Sequence, residues 1–122
     1  MTTLLKGYLA TVIDLYESDR YREGRARARA RWPNVVWTEP ARLGWSFDQW
    51  RAVWPDILAT LDLLAVIPRT DRTIGRGVWQ EIIDCQARGL PIYFLDGARW
   101  RQLIMLEKLP GVSFRYWAEV RG

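Results

Sequence analysis

Histidine is missing from this 122-residue chain, and with it go Ser-His-Asp triads, His-ligated metal sites and the most common general base. Any catalysis falls to carboxylates, hydroxyls or a thiol, and no metal or cofactor is expected. Cysteine occurs once, at Cys85, which rules out an internal disulfide and suits a reducing compartment. Beside Ile82 and Ile83 it reads as a small buried apolar side chain. No apolar run approaches the roughly 18 residues of a membrane span. No basic segment followed by a long apolar stretch opens the sequence, so a cytoplasmic protein away from membranes is expected.

What is present is cationic and aromatic. The net charge of +4 comes from 18 Lys and Arg, nearly all Arg, and suggests an anionic partner such as a phosphate ester or nucleic acid. Eight tryptophans are many for this length. Their wide spacing points to core and interface packing rather than to one stacking platform. The length fits one domain with a real core.

The organising stretch is 61–95. Leu61 to Ile67 is a near-continuous apolar run, as a strand needs when helices cover both faces of its sheet. Pro68 to Gly77 is a flexible, cationic loop. Val78 to Arg88 reads as a helix ended by Gly89 and Pro91, and Pro91 to Leu95 as the next strand. Two apolar strands joined by one helix make a right-handed parallel βαβ unit, whose loop lies at the carboxyl end of a strand.

On the amino-terminal side, Gly7 to Ile13 is the first strand. A helix from about Asp19 to Arg31 is stopped by Trp32-Pro33-Asn34. Its Tyr21, Gly24, Ala28 and Trp32 form one narrow packing face. The arginines at 20, 22, 25, 27, 29 and 31 advance about 200° at each alternate position, so they spread round the helix as a solvated face more than as a nucleic-acid stripe. Val35 to Thr38 is a second strand. After a loop through Trp45, Ser46 and Gln49 form a capping box for an amphipathic helix from about Phe47 to Thr60, with Pro55 expected to kink or restart it. Its aromatic stripe reads as core or subunit interface. After the central unit, Asp96-Gly97 is a turn, Trp100 to Leu109 a helix, and Val112 to Val120 a last edge strand. The sum is one α/β domain over 1–122, doubly wound in the Rossmann-like or flavodoxin-like manner, with a five-stranded, mainly parallel sheet.

The chemistry concentrates at Gly75-Arg76-Gly77-Val78-Trp79-Gln80-Glu81. Two glycines admit a ligand to the backbone, and the helix behind them offers free N–H donors and the positive end of its dipole. Arg69, Arg72 and Arg76 flank this nest and suit an anion. Glu81, one turn into the helix, faces the crevice. Glycines also make tight turns, and a first-turn glutamate also satisfies the dipole without further function.

The element order, Lys6-Gly7-Tyr8-Leu9-Ala10 in the first strand, Asp62 opening the third and the Gly-x-Gly-x-x-x-Glu loop resemble the nucleoside 2-deoxyribosyltransferase-like superfamily. That superfamily includes phosphoribohydrolases whose Pro-Gly-Gly-x-Gly-Thr-x-x-Glu loop is similar to residues 73–81 here. The topological likeness covers most of residues 6 to 96, and motif identity about ten positions. The resemblance implies that Glu81 attacks or stabilises C1′ of a sugar while a second acid protonates the departing base. It further implies that Tyr8 and Ala10 line the sugar pocket, that Asp56 helps position base or sugar, and that Gly75, Gly77 and the loop arginines cradle a 5′-phosphate. Two positions depart from the pattern. Gly75 stands where many transferases carry an acid, leaving Asp71, Asp56 or Asp14 as candidate general acids. Val78 stands where the phosphoribohydrolases have threonine. Trp45 is a further candidate pocket wall.

The leading expectation is thus an N-glycosidic-bond enzyme, a deoxyribosyltransferase or N-glycosidase. A nucleotide-sensing module of the same fold that does not cleave is the alternative, and a nucleic-acid-binding protein using the Arg-rich helix a further one. A homodimer or larger homo-oligomer is expected, since a domain this small needs a neighbour to close its pocket.

Overall fold

The structure, a computed structural model, describes residues 4–71, 73–103 and 119–120. Five strands form one sheet: β1 (Leu5–Thr11), β2 (Val35–Thr38), β3 (Leu63–Ile67), β5 (Ile92–Asp96) and β6 (Arg99–Leu103). Its order is β2-β1-β3-β5-β6. The pairs β1·β2, β1·β3 and β3·β5 are parallel, and β5·β6 is antiparallel. A short β4 (Thr73–Ile74) pairs in parallel with β7 (Glu119–Val120) outside this sheet. Four α-helices are described: α1 (Asp19–Arg31), α2 (Pro40–Leu43), α3 (Phe47–Thr60) and α4 (Arg76–Ala87).

Period-two alternation on buried strands explains the two cores. On β3, Leu63, Ala65 and Ile67 face α1, joined by Leu9, Tyr21, Ala28, Trp32 and Leu95. Leu64 and Val66 face the other way, against Tyr8, Ala10, Trp54, Val78, Ile82 and Cys85 from β1, α3 and α4. Since both faces are covered, the apolar run is nearly unbroken in sequence. The small face of α1 allows close approach: a Cβ on Gly24 would lie 2.6 Å from Ile67 Cδ1.

Helix boundaries follow their caps. Ser18 Oγ accepts from Tyr21 N–H at 3.1 Å to start α1. For α3, Ser46 Oγ accepts from Gln49 N–H at 3.2 Å while Gln49 Oε1 accepts from Ser46 N–H at 2.8 Å. Pro55 sits inside α3 without ending it.

Each arginine of α1 has a partner within the chain. Arg20 donates to the carbonyls of Pro68 and Leu95, Arg22 pairs with Asp19, and Arg27 pairs with Glu23. Arg25 and Arg29 converge on Glu39 at 2.6 and 3.1 Å, and Arg31 lies over the Trp32 ring at 5.2 Å.

Two expectations need correction. The loop after β2 contains the short helix α2, started by Pro40 at its first turn and closed by Gly44 in a left-handed conformation. The helix expected from Trp100 begins instead as strand β6, antiparallel to β5. Gly97, at φ 61°, makes the tight reversal that apolar spacing at Leu103 and beyond did not reveal. Among the described residues the fifth strand of the sheet is β6. The remainder of the expected helix, to Leu109, and most of the expected last strand lie outside the described residues. Glu119–Val120, the described end of that strand, pairs with β4.

Candidate functional site

The strand order reverses between β1 and β3: the chain leaves β1 towards β2 and later returns on its other side through β3 and β5. Loops diverge at such a point and leave a crevice at the carboxyl ends of the strands. A cavity of about 350 Å³ lies there. Its walls come from β1 and the turn after it (Tyr8, Ala10, Asp14, Tyr16), the start of α3 (Trp45, Phe47, Trp50), Arg69, and the first turns of α4 (Gly75 to Val78, and Glu81).

Glu81 occupies an apolar position. The buried side of α4 is Val78, Glu81, Ile82 and Cys85, the i, i+3, i+4, i+7 stripe of an amphipathic helix. A carboxyl in that stripe is carried under the sheet with its neighbours, and only 4% of Glu81 remains exposed. Burial pushes its pKa up to about 8, against the opposing pull of the neighbouring Tyr8 hydroxyl and Trp50 indole, with Asp84 adding to the rise. Trp50 Nε1 donates to Glu81 Oε2 at 2.9 Å. The Tyr8 hydroxyl couples to the same carboxyl but has no hydrogen-bond partner of good geometry. Desolvation first, then Glu81, keep this phenol protonated well above its usual range. Tyr16 is raised by the same two causes in the same order.

The second carboxyl of the cavity is tuned in the opposite direction. Asp14 accepts both Arg69 Nε and Nη2, at 2.9 and 2.8 Å, and this pairing holds it below the usual carboxylate range. Arg69 Nη1 also reaches Thr73 Oγ1 at 3.2 Å. Asp71 accepts from Thr73 N–H at 3.2 Å and Thr73 Oγ1 at 2.6 Å, so the loop before α4 is cross-tied.

The anion-binding elements lie along one wall. Gly75 caps α4 without a side-chain hydrogen bond, which leaves the first-turn N–H groups open to a ligand. A Cβ on Gly77 would meet nothing within 4 Å. Arg76 is exposed and lines the cavity beside it.

Of the residues singled out from sequence, the fold brings together Tyr8, Ala10, Trp45, Arg69, Gly75, Arg76, Gly77 and Glu81, with Asp14 among them. Asp71 lies in the same loop but off the cavity wall, holding Thr73. Asp56 is exposed on α3 and is not part of the wall. Arg72 lies outside the described residues. Asp62, taken as a family marker, links strands: it accepts from Lys6 N–H at 2.7 Å and donates its own N–H to Lys6 O at 2.8 Å.

Trp50, Phe47 and Tyr16 were not anticipated as site residues. Trp50 and Phe47 belong to the aromatic stripe of α3, which sequence spacing assigns to the core. The usable signal was position: both lie in the first two turns after the capping box, at the end of α3 nearest the crevice. No protein family, curated protein or solved structure matches the chain. Among the described residues, no helix is long and apolar enough to cross a membrane, and no group of three or more Cys, Asp or Glu is placed to hold a metal ion.

Proposed function

We propose that the cavity binds a nucleoside or nucleotide and that Glu81 acts on its N-glycosidic bond, in a doubly wound domain of the nucleoside deoxyribosyltransferase-like type working in the cytoplasm as a homo-oligomer. One observation carries this reading: a single carboxyl, almost fully buried, at the bottom of an aromatic-walled crevice. A buried carboxylate with no cation beside it is costly. Cleavage of the C1′–N bond builds positive charge on the sugar, and that charge supplies the missing counter-ion only in the transition state. The ionised carboxylate then either bonds to C1′ or stabilises the cation until water or a second base adds.

The aromatic wall gives a base a stacking surface, and the open first turn of α4 with Arg76 suits a 5′-phosphate. The proton for the departing base does not come from Asp14, which Arg69 holds ionised at neutral pH. Because the active form of Glu81 is the anion, base release rises with pH through an inflection near 8. The six arginines of α1 are engaged inside the chain, which gives a nucleic-acid partner little support.

The test is chromatographic scoring of free base from nucleosides and nucleoside 5′-monophosphates with wild type and Glu81→Ala. The expected result is release by wild type and loss of at least about a hundredfold in the variant. A second reading draws on the protonated state of Glu81 at neutral pH, which suits binding without cleavage. A nucleotide that raises the melting temperature of wild type and variant alike, with no base released by either, favours that module.

A further inference from the structure

Two indoles and two carboxyls form a ladder between α3 and α4. Trp50 and Trp54 are one turn apart on α3; Glu81 and Asp84 are one turn apart on α4. Trp50 Nε1 donates to Glu81 Oε2 at 2.9 Å, and Trp54 Nε1 donates to Asp84 Oδ2 at 2.9 Å. The two rungs differ in their surroundings. Asp84 takes a further hydrogen bond from Gln80 Nε2 at 2.8 Å and does not line the cavity. Glu81 does line it, and its Oε1 has no hydrogen-bond partner among the described residues.

Trp50 is held on both sides. Its ring stacks on Trp54 with centroids 6.1 Å apart and planes at 25°, and tilts against Phe47 at 5.4 Å. Trp54 in turn meets Tyr8 edge to face at 4.9 Å. A ring fixed this way has one direction in which to present its N–H.

We propose that Trp50 is a positioning residue for Glu81: its indole N–H holds Oε2, leaves Oε1 to the cavity and favours the charged form of the carboxyl. The part of this that concerns turnover rests on the glycosidic reading above; the part that concerns ionisation does not. An N–H donor bonds more strongly to a carboxylate than to a carboxylic acid. The other groups facing Glu81 are Tyr8 from β1, Tyr16 from the turn after it, and Asp84 and Cys85 from α4 itself. The phenols and the thiol stay protonated at neutral pH, raised chiefly by burial and then by Glu81. Asp84 opposes ionisation of Glu81. Asp14, Arg69 and Arg76 share the cavity, the first two paired with each other. The Tyr8 hydroxyl also pulls the carboxyl towards its charged form but makes no hydrogen bond of good geometry, so Trp50 is the formed hydrogen bond that acts for the anion.

Trp50→Phe keeps an aromatic ring and removes the N–H. The eight tryptophans give indole N–H signals in a ¹⁵N-labelled sample, and the Trp50 signal is the one absent from this variant. It is expected to titrate in wild type with a midpoint near pH 8 and to stay flat in Glu81→Gln, which retains Trp50. In the base-release assay, Trp50→Phe is expected to move the inflection up by about one pH unit, a roughly tenfold change in proton affinity. A flat Trp50 signal in wild type, a titration that survives Glu81→Gln, or superimposable pH profiles for wild type and Trp50→Phe overturns the proposal. A titrating Trp50 signal in a protein that releases no base supports the Trp50–Glu81 coupling and defeats the glycosidic reading alone.

Discussion

Among the described residues two glutamates are buried to nearly the same degree, Glu39 at 6% exposure and Glu81 at 4%, and they lie on opposite sides of the sheet in opposite surroundings. Glu39 is ringed by cations and a hydroxyl: Arg25 at 2.6 Å, Arg29 at 3.1 Å, Arg42 at 3.7 Å and the Tyr21 hydroxyl at 3.0 Å. Glu81 has an indole, a phenol of poor geometry and no cation within ion-pair distance among the described residues. The first arrangement closes the gap between α1 and the end of β2 with hydrogen bonds on both carboxylate oxygens. The second leaves a carboxyl that is costly to ionise and has an oxygen to spare. Burial alone therefore says little about role; what matters is whether the neighbours have already met the charge.

Changing both residues to glutamine breaks the comparison most sharply. The pKa of Glu81 in the folded state, about 8, lies well above that of an ordinary glutamate, so the folded chain holds a proton that the unfolded chain has lost. Stability falls as pH climbs through that window, by roughly 3 kcal/mol between pH 5 and pH 8. In urea titrations Glu81→Gln is expected to remove most of that slope and to exceed wild type at pH 8. Glu39→Gln is expected to cost about 2 kcal/mol in the same titrations, less than a fully buried pair because Arg29 can turn to water. A pH slope that persists in Glu81→Gln, or a neutral Glu39→Gln, removes the distinction.

Two glycines sharpen the contrast by smaller amounts. Gly24→Ala drives a methyl into Ile67 and Leu95, at 2.6 and 3.2 Å, and is expected to lower the unfolding free energy in urea titrations by about 1–3 kcal/mol. Gly77→Ala enters open space in the first turn of α4 and is expected to stabilise by about 0.5 kcal/mol, while weakening phosphate or nucleotide binding measured by calorimetry. Least of all, Asp14→Asn breaks a pair whose aspartate is 60% exposed and is expected to change stability by less than about 0.5 kcal/mol.

The elements that the sequence made legible were those fixed by local chemistry. Ser18 and Ser46 caps set the starts of α1 and α3, and the β3 run announced a sheet covered on both sides. The site was legible in the Gly75-x-Gly77-x-x-x-Glu81 spacing, which marked an open helix start with a carboxyl one turn on; that Glu81 belongs to the apolar stripe of α4 emerged only from the fold. The reading failed where tertiary pairing decided. The turn at Gly97 sends residues 99–103 back along β5, and that long-range geometry outweighs the spacing that suggested a helix. Trp50 was read as core because an aromatic at helical spacing carries no mark of what its N–H will meet. The α1 arginines formed the most visible feature of the sequence, yet their partners, from Glu39 to the carbonyl of Leu95, lie scattered along the chain.

The place of β1 between β2 and β3 bears on the order of events when the chain is made. Thr11 pairs with Ile67 in register, and its hydroxyl donates to the Ile67 carbonyl across 56 positions of sequence. At about 5–20 residues per second, that separation corresponds to a delay on the order of 3–11 seconds between synthesis of β1 and of the strand that completes it. Through that interval one edge of Tyr8-Leu9-Ala10 has no ladder partner, and the residues that will line the cavity opposite Glu81 are made before it.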